Sequence, residues 1–209
     1  MRAWRGTIGL IAAVWTPVLT FAGHGFMTAF GNIEWLPEPG RTPDSPWYQL
    51  DTWQEEGQLL LARAPEEKIR LCLTFAREKL AELEATVASH KLNAAEQAGQ
   101  RYRAYIERAW QILRGELVDK EPSVELIANA LLEHQYILSI LYTDLPVGAR
   151  AAVPPVITVA REYYTEVADL LPPKKKGALF FKEEEVRWSV HMATRVDENG
   201  AGEGEDSSQ

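Results

Sequence analysis

The chain has a single cysteine in 209 residues, so no intramolecular disulfide framework can hold it and its stability has to come from a packed interior. Cys72 itself falls on an apolar stripe, the place of a small core residue. Catalytic signatures are missing too. There is no His-Glu-x-x-His, no Cys-x-x-Cys, no Gly-x-Ser-x-Gly and no glycine loop to cradle phosphate. The four histidines, His24, His90, His134 and His191, are scattered, and no two have metal-ligand spacing on a helix face. Carboxylate runs such as Glu66-Glu67 and Glu183-Glu184-Glu185 suit helix ends and solvated faces. No catalytic residue, metal ligand or cofactor is therefore expected. The formal charge of −8 argues against a general nucleic-acid binder. Part of that charge is local: Asp197, Glu198, Glu203, Glu205 and Asp206 stand without Lys or Arg in residues 197–209, a Gly- and Ser-rich acidic tail expected to be disordered.

Charge is also absent near the start. No Asp, Glu, Lys or Arg occurs in residues 6–33, where His24 is the one ionisable side chain. Such a run is long enough to span a bilayer, which takes about 20 apolar residues. It also fits a signal peptide, with Thr20-Phe21-Ala22 ahead of a cleavage position at Gly23. The run continues past that position, which favours a retained anchor over a cleaved signal. Arg2 and Arg5 before it, and Glu34 and Glu38 after it, place the start in the cytoplasm and the body outside, in a periplasm or at a cell surface. Residues 1–33 thus read as a signal peptide or transmembrane anchor, and the membrane is one expected partner. Residues 34–43, with Pro37, Pro39, Gly40 and Pro43, read as a stiff linker.

From residue 44 onward the pattern is helical. Asp44-Ser45-Pro46 marks a helix start, and the helix after it is expected to bury Trp47, Leu50, Trp53, Leu60 and Leu61, with Gly57 as a weak point. Pro65 restarts the chain, with Glu66 and Glu67 at a favourable N-terminus. Ile69, Cys72, Leu73, Ala76, Leu80, Leu83 and Val87 then keep helical spacing to the end of a helix over 65–89. Asn93 opens a third helix with Ala98, Tyr102, Tyr105, Ala109, Ile112 and Leu113 on one face. Ser123 opens a fourth, through Ile127, Leu131, His134, Leu138 and Leu141. Pro154-Pro155 starts a fifth, with Val159, Tyr163, Val167 and Leu170 inward. The spacing predicts an all-α antiparallel bundle of about five helices over 44–171, behind an N-terminal hydrophobic signal or anchor helix. Residues 172–196 differ: Val186, Trp188, Val190 and Met192 alternate with polar residues, which is strand periodicity, although the glutamates beside them are good helix formers. This segment is expected to be a partly ordered extension.

The stretch Pro43-Asp44-Ser45-Pro46-Trp47-Tyr48-Gln49-Leu50 resembles the opening "PDSP-x-Y-x-L" of a family of exported bacterial proteins known only as a domain of unknown function. Leu59 to Ala62, then Pro65-Glu66-Glu67-Lys68, Leu71, Leu73, Ala76, Lys79-Leu80 and Glu82, is similar to the continuation of that pattern. Leu132-Glu133-His134-Gln135 through Pro146 to Ala160 resembles its second helical pair, so the likeness runs over about 43–171. Asp51 departs from it, standing where the family has a basic residue. The resemblance implies an all-helical, extracytoplasmic fold and no particular activity.

Two functional classes fit these features. The first is a membrane-tethered interaction or accessory protein that meets a protein partner outside the cytoplasm through Lys174, Lys175, Lys176, Phe180, Phe181, Val186, Trp188 and Val190, with strand addition by the segment from Gly177 to Val196 as one route. The second is a small-ligand or metal-binding protein using His134, Tyr105 and Tyr163 among the tyrosines.

Overall fold

The computed structural model describes residues 28–200 apart from 32, 116, 118 and 119, with side chains given to 193. Six α-helices occur among the described residues: α1 (Tyr48–Leu61), α2 (Pro65–Ala88), α3 (Leu92–Gly115), α4 (Glu121–Asp144), α5 (Pro154–Ala168) and α6 (Pro173–Gly200). A 3-10 segment, Val147–Ala152, joins α4 to α5. No strand is assigned among these residues.

The long second helix forms where its pattern requires. Pro65 occupies the first turn, where its missing N–H is harmless, and Glu66 and Glu67 face the positive end of the dipole. Its end is a Schellman motif: the Lys91 N–H reaches the Thr86 carbonyl at 2.8 Å and the His90 N–H reaches that of Val87 at 2.9 Å. His90 takes the left-handed conformation this turn needs, with φ 57°. The tight reversal lets α3 return along the whole of α2. Their shared seam buries Cys72, Ala76, Leu80, Leu83 and Val87 against Ala98, Tyr102, Tyr105 and Ala109. Burial pushes the Cys72 thiol up to about 11, which keeps it protonated.

The second half is a hairpin of α4 and α5, with α5 also lying on α3 and α6 lying on α4. Ile127, Leu131, Leu138 and Leu141 face inward as their spacing predicts. On α5, Val159 and Val167 do too, whereas Tyr163 is half-buried and Leu170 is exposed. Gly99 marks the closest approach of α3 to α5: a Cβ there would stand 3.0 Å from Val156.

Three expectations are corrected. First, the segment that alternates like a strand is the helix α6. Val186 and Val190 point toward α4, while Trp188 and Met192 point to solvent. Two apolar rows on opposite sides of one helix, each at a spacing of four, interleave into a false period of two. From Pro173 this segment is accordingly a continuous helix that runs on to Gly200, through the start of the segment expected to be disordered. Second, α1 is turned over. Trp47, Leu50, Trp53, Leu60 and Leu61, expected inside, are 44–81% exposed, and the buried side chains are Tyr48, Glu55 and Leu59. Third, the start of the stretch read as a stiff linker lies on the body. Arg77 donates from its guanidinium to the carbonyls of Glu34 and, at 2.9 Å, of Trp35, and Ile33 and Leu36 pack against the core.

The end of the charge-free run docks as well. Phe30 is buried and stacks on Tyr136 of α4 at 4.4 Å between ring centroids. The Thr28 hydroxyl and, at 2.5 Å, the Ala29 N–H donate to the Glu185 carboxylate of α6. Residues 1–27, which hold most of the expected signal or anchor, and residues 201–209 of the tail lie outside the described residues. No helix among the described residues is long and apolar enough to cross a membrane.

Candidate functional site

The reason α1 sits with its apolar side out is a buried ionic network beneath it. Lys79 of α2 is 1% exposed. Its ammonium donates to Glu55 of α1 and to Glu82 of α2, each at 2.6 Å. The remaining oxygens are taken by two phenols: Tyr48 donates to Glu82 at 3.1 Å and Tyr105 of α3 donates to Glu55 at 2.5 Å. Every carboxylate oxygen of the network therefore has a donor, as buried charges require. The Lys79 ammonium also lies 5.2 Å from the centre of the Tyr48 ring.

Geometry sets the charge states. Burial pushes Lys79 down, but its hydrogen bonds to Glu55 and Glu82 outweigh that and hold it above the ordinary ammonium range. Burial raises Glu82, with Lys79 pulling the other way. Burial likewise lifts Tyr48 to about 12, and Tyr105 further, so both phenols stay neutral donors. The amine is held protonated between two carboxylates and shielded from water, which leaves it no lone pair for nucleophilic chemistry. The network is suited to fixing one helix on another.

Exposed pairs support the same placement. Arg108 of α3 meets Glu56 of α1 at 2.8 Å, and Arg41 meets Asp51 at 2.8 Å. Lys91, in the α2–α3 turn, meets Asp44 ahead of α1 at 2.7 Å. Each carboxylate of α1 is thus directed inward or paired, and its outer row of Trp47, Leu50, Gly57, Leu60 and Leu61, with Trp53, is free of charge.

A family model described as a domain of unknown function, DUF5667, matches residues 40–146. The chain belongs to that family. No curated protein and no solved structure matches it. The DUF5667 match begins just before the Pro43-Asp44-Ser45-Pro46 turn, takes in all five network residues, and ends after α4. The family unit in this chain is therefore α1 to α4 with its ionic lock, and α5 and α6 are built onto it. Asp51 of α1 is balanced by Arg41.

The residues singled out from sequence are dispersed. His134 is enclosed, and its Nδ1 lies 3.1 Å from the Tyr102 hydroxyl. Burial, with a smaller push from Arg77, lowers it to about 3, so it is an uncharged core histidine. Tyr105 belongs to the ionic network, and Tyr163 stands half-buried on α5, so the three do not share one set of partners. Among the lysines, Lys175 pairs with Glu125 at 2.6 Å and Lys176 with Asp169 at 3.2 Å, while Lys174 is exposed. Val186 and Val190 are turned inward, and Phe180, Phe181 and Trp188 remain outside. Missed from sequence was the network itself. Its trace is the seven-residue spacing of Cys72, Lys79 and Thr86, which puts a lysine in the middle of the apolar stripe.

Proposed function

We propose that the protein is a non-enzymatic, membrane-tethered helical module whose body stands outside the cytoplasm and presents α1 to a protein partner. The observation that carries this reading is the outward apolar row of α1, held in that orientation by the lock beneath it. An amphipathic helix on a partner would lay its own apolar face along that row, with Trp47 and Trp53 as anchors. Soluble surfaces seldom leave two tryptophans and three leucines exposed on one helix without such a use. The tether rests on the charge-free run and on the basic residues before it and acidic residues after it.

The test places a photo-cross-linking amino acid at position 53 in the full chain and irradiates native membranes. Recurrent adducts with one other protein, absent when the cross-linker sits at Gln111 on the exposed side of α3, are the expected result. Adducts with lipid alone, or none at all, would remove the basis for a partner at α1.

A second reading, a binder of a small ligand, has one feature in its favour. A cleft of about 350 Å³ between α4, α5 and α6 is lined by Leu132, Val186 and Val190 and by the polar side chains of Gln135, Arg161, Tyr164, Glu183, Arg187 and His191. With two arginines against one carboxylate, an amphipathic anion fits that lining. Thermal stability that stays flat across a panel of carboxylates and phosphates would discount it, because a ligand of the native state must raise stability.

A further inference from the structure

We infer that the outer face of α6 lies on the bilayer, with Phe181, Trp188 and Met192 in the headgroup–acyl boundary of uncharged lipid. The inference rests on the membrane tether proposed above and adds the surface by which the body meets the membrane.

The first ground is the length of chain ahead of the body. Residues 6–27 hold no Asp, Glu, Lys or Arg. A helix of that length would span about 33 Å, against a hydrocarbon core of about 30 Å, so crossing the bilayer would take the whole run. The described chain offers no spacer ahead of the body, because Thr28, Ala29 and Phe30 are already fastened to it and the carbonyls of Glu34 and Trp35 beyond them are held by Arg77. The body is therefore held against the headgroups, with no slack to stand away from them.

The second ground is where the chain arrives. Thr28 and Ala29 bind Glu185, which lies one helical turn after Phe181 and one turn before Trp188. The tether thus emerges beside the row Phe181, Trp188 and Met192, whose side chains are 75%, 64% and 40% exposed. These residues recur at spacings of seven and four, so they form one line along the outside of α6, opposite the Leu179, Val186 and Ala193 face that packs inward. A helix with aromatic residues on its free side and its other side bound to protein has the form of an interfacial helix lying in the plane of the membrane.

The rim chemistry points to neutral lipid. Lys175 and Lys176 are already paired with Glu125 and Asp169, and Glu184 and Arg187 pair with each other at 2.9 Å. Among the described residues only the exposed Lys174, seven residues before Phe181, lies unpaired on this line, which is short of the basic cluster that selects anionic headgroups.

The experiment uses the full chain in phosphatidylcholine vesicles, with and without bromine on the acyl chains. Cysteine is introduced as Phe181→Cys, Trp188→Cys or, as a control, Gln111→Cys, and labelled with a bromine-quenched fluorophore; the buried Cys72 stays in place. The exposed positions chosen leave the core untouched, and far-UV circular dichroism with co-flotation checks each variant. Expected is loss of fluorescence at 181 and 188 in brominated vesicles and none at 111. Chain that co-floats while labels at 181 and 188 stay as bright as in plain vesicles would overturn the inference and leave the tether standing. Labels shielded from water-soluble quencher but untouched by bromine would also overturn it, in favour of a protein covering α6. Failure to co-float would bring down the tether and this surface together.

Discussion

Replacing Lys79 by methionine tests the ionic lock most directly. The substitution keeps the length and packing of the side chain and removes one charge. Glu55 and Glu82 then face each other, 5% and 3% exposed, with the Tyr48 and Tyr105 hydroxyls as their remaining donors. Removing one partner of a buried ion pair costs about 3–5 kcal/mol, because the other charge is left uncompensated. The loss depends on pH. Glu82 already lies above the usual carboxylate range through burial, and losing Lys79 raises it further. A carboxylate whose folded pKa exceeds its unfolded one favours the folded state at low pH and loses that contribution as pH rises through the folded value. The Lys79→Met deficit is therefore largest at neutral pH and shrinks toward pH 5. Urea unfolding of the full chain in mild detergent, followed by circular dichroism at pH 7.5 and 5, measures both quantities. Adding Glu55→Gln and Glu82→Gln keeps acceptors for the tyrosines, removes the stranded charges and should recover most of the loss. A Lys79→Met cost below about 1 kcal/mol at pH 7.5, or one equal at both pH values, would refute the argument, because it would mean water already reaches the network.

Three smaller predictions concern single positions. His134 is neutral in the fold and held near 3, whereas its unfolded form takes a proton below about pH 6.5, so the native chain should lose about 1.4 kcal/mol per pH unit below 6.5 relative to His134→Gln; parallel urea midpoints for the two chains across pH 7 to 5 would contradict this. His90→Gly relieves a left-handed conformation at a helix C-terminus and should stabilise by about 1 kcal/mol, read from the same unfolding midpoints. Gly57 has open space around it in mid-helix, so Gly57→Ala should add about 0.5–1 kcal/mol without altering the lock, as judged by unchanged amide exchange at Tyr48 and Glu55.

The parts of the fold that were legible in the sequence are those where burial and hydrophobicity coincide. On α2, all seven residues assigned to its stripe are buried, and the helix ends one residue from the expected position, because a proline start and a regular apolar row leave few alternatives. The same holds for the row from Ala98 to Leu113 on α3. Periodicity fails where a helix has two sides to satisfy. On α6 the inner row Val186–Val190 and the outer row Trp188–Met192 are both apolar, and their sum imitates a strand. On α1 the larger hydrophobic row faces out, because the inner position opposite Lys79 is taken by Glu55. A pattern of apolar residues locates a face; it does not say whether the neighbouring chain or something else covers it. Ionic complementarity between Glu55, Lys79 and Glu82 decided that for α1, and such pairing between distant residues leaves almost no local trace.

This choice of inner face bears on what the helix is for. An apolar inner face would have held α1 more simply, since replacing buried ion pairs with packed hydrophobic groups is often neutral or stabilising. Such an interface also tolerates rotation and sliding, because dispersion contacts are non-directional. Two carboxylates sharing one ammonium, each closed by a tyrosine hydroxyl from a different helix, admit one rotation of α1 about its axis. That rotation places Trp47, Leu50, Trp53, Leu60 and Leu61 together on the outside. Fixing the orientation of a helix by directional bonds is of use where the opposite face must be offered in a set geometry. The lock and the proposed docking row are two sides of one helix, and the position of the row is set by the chemistry of the lock.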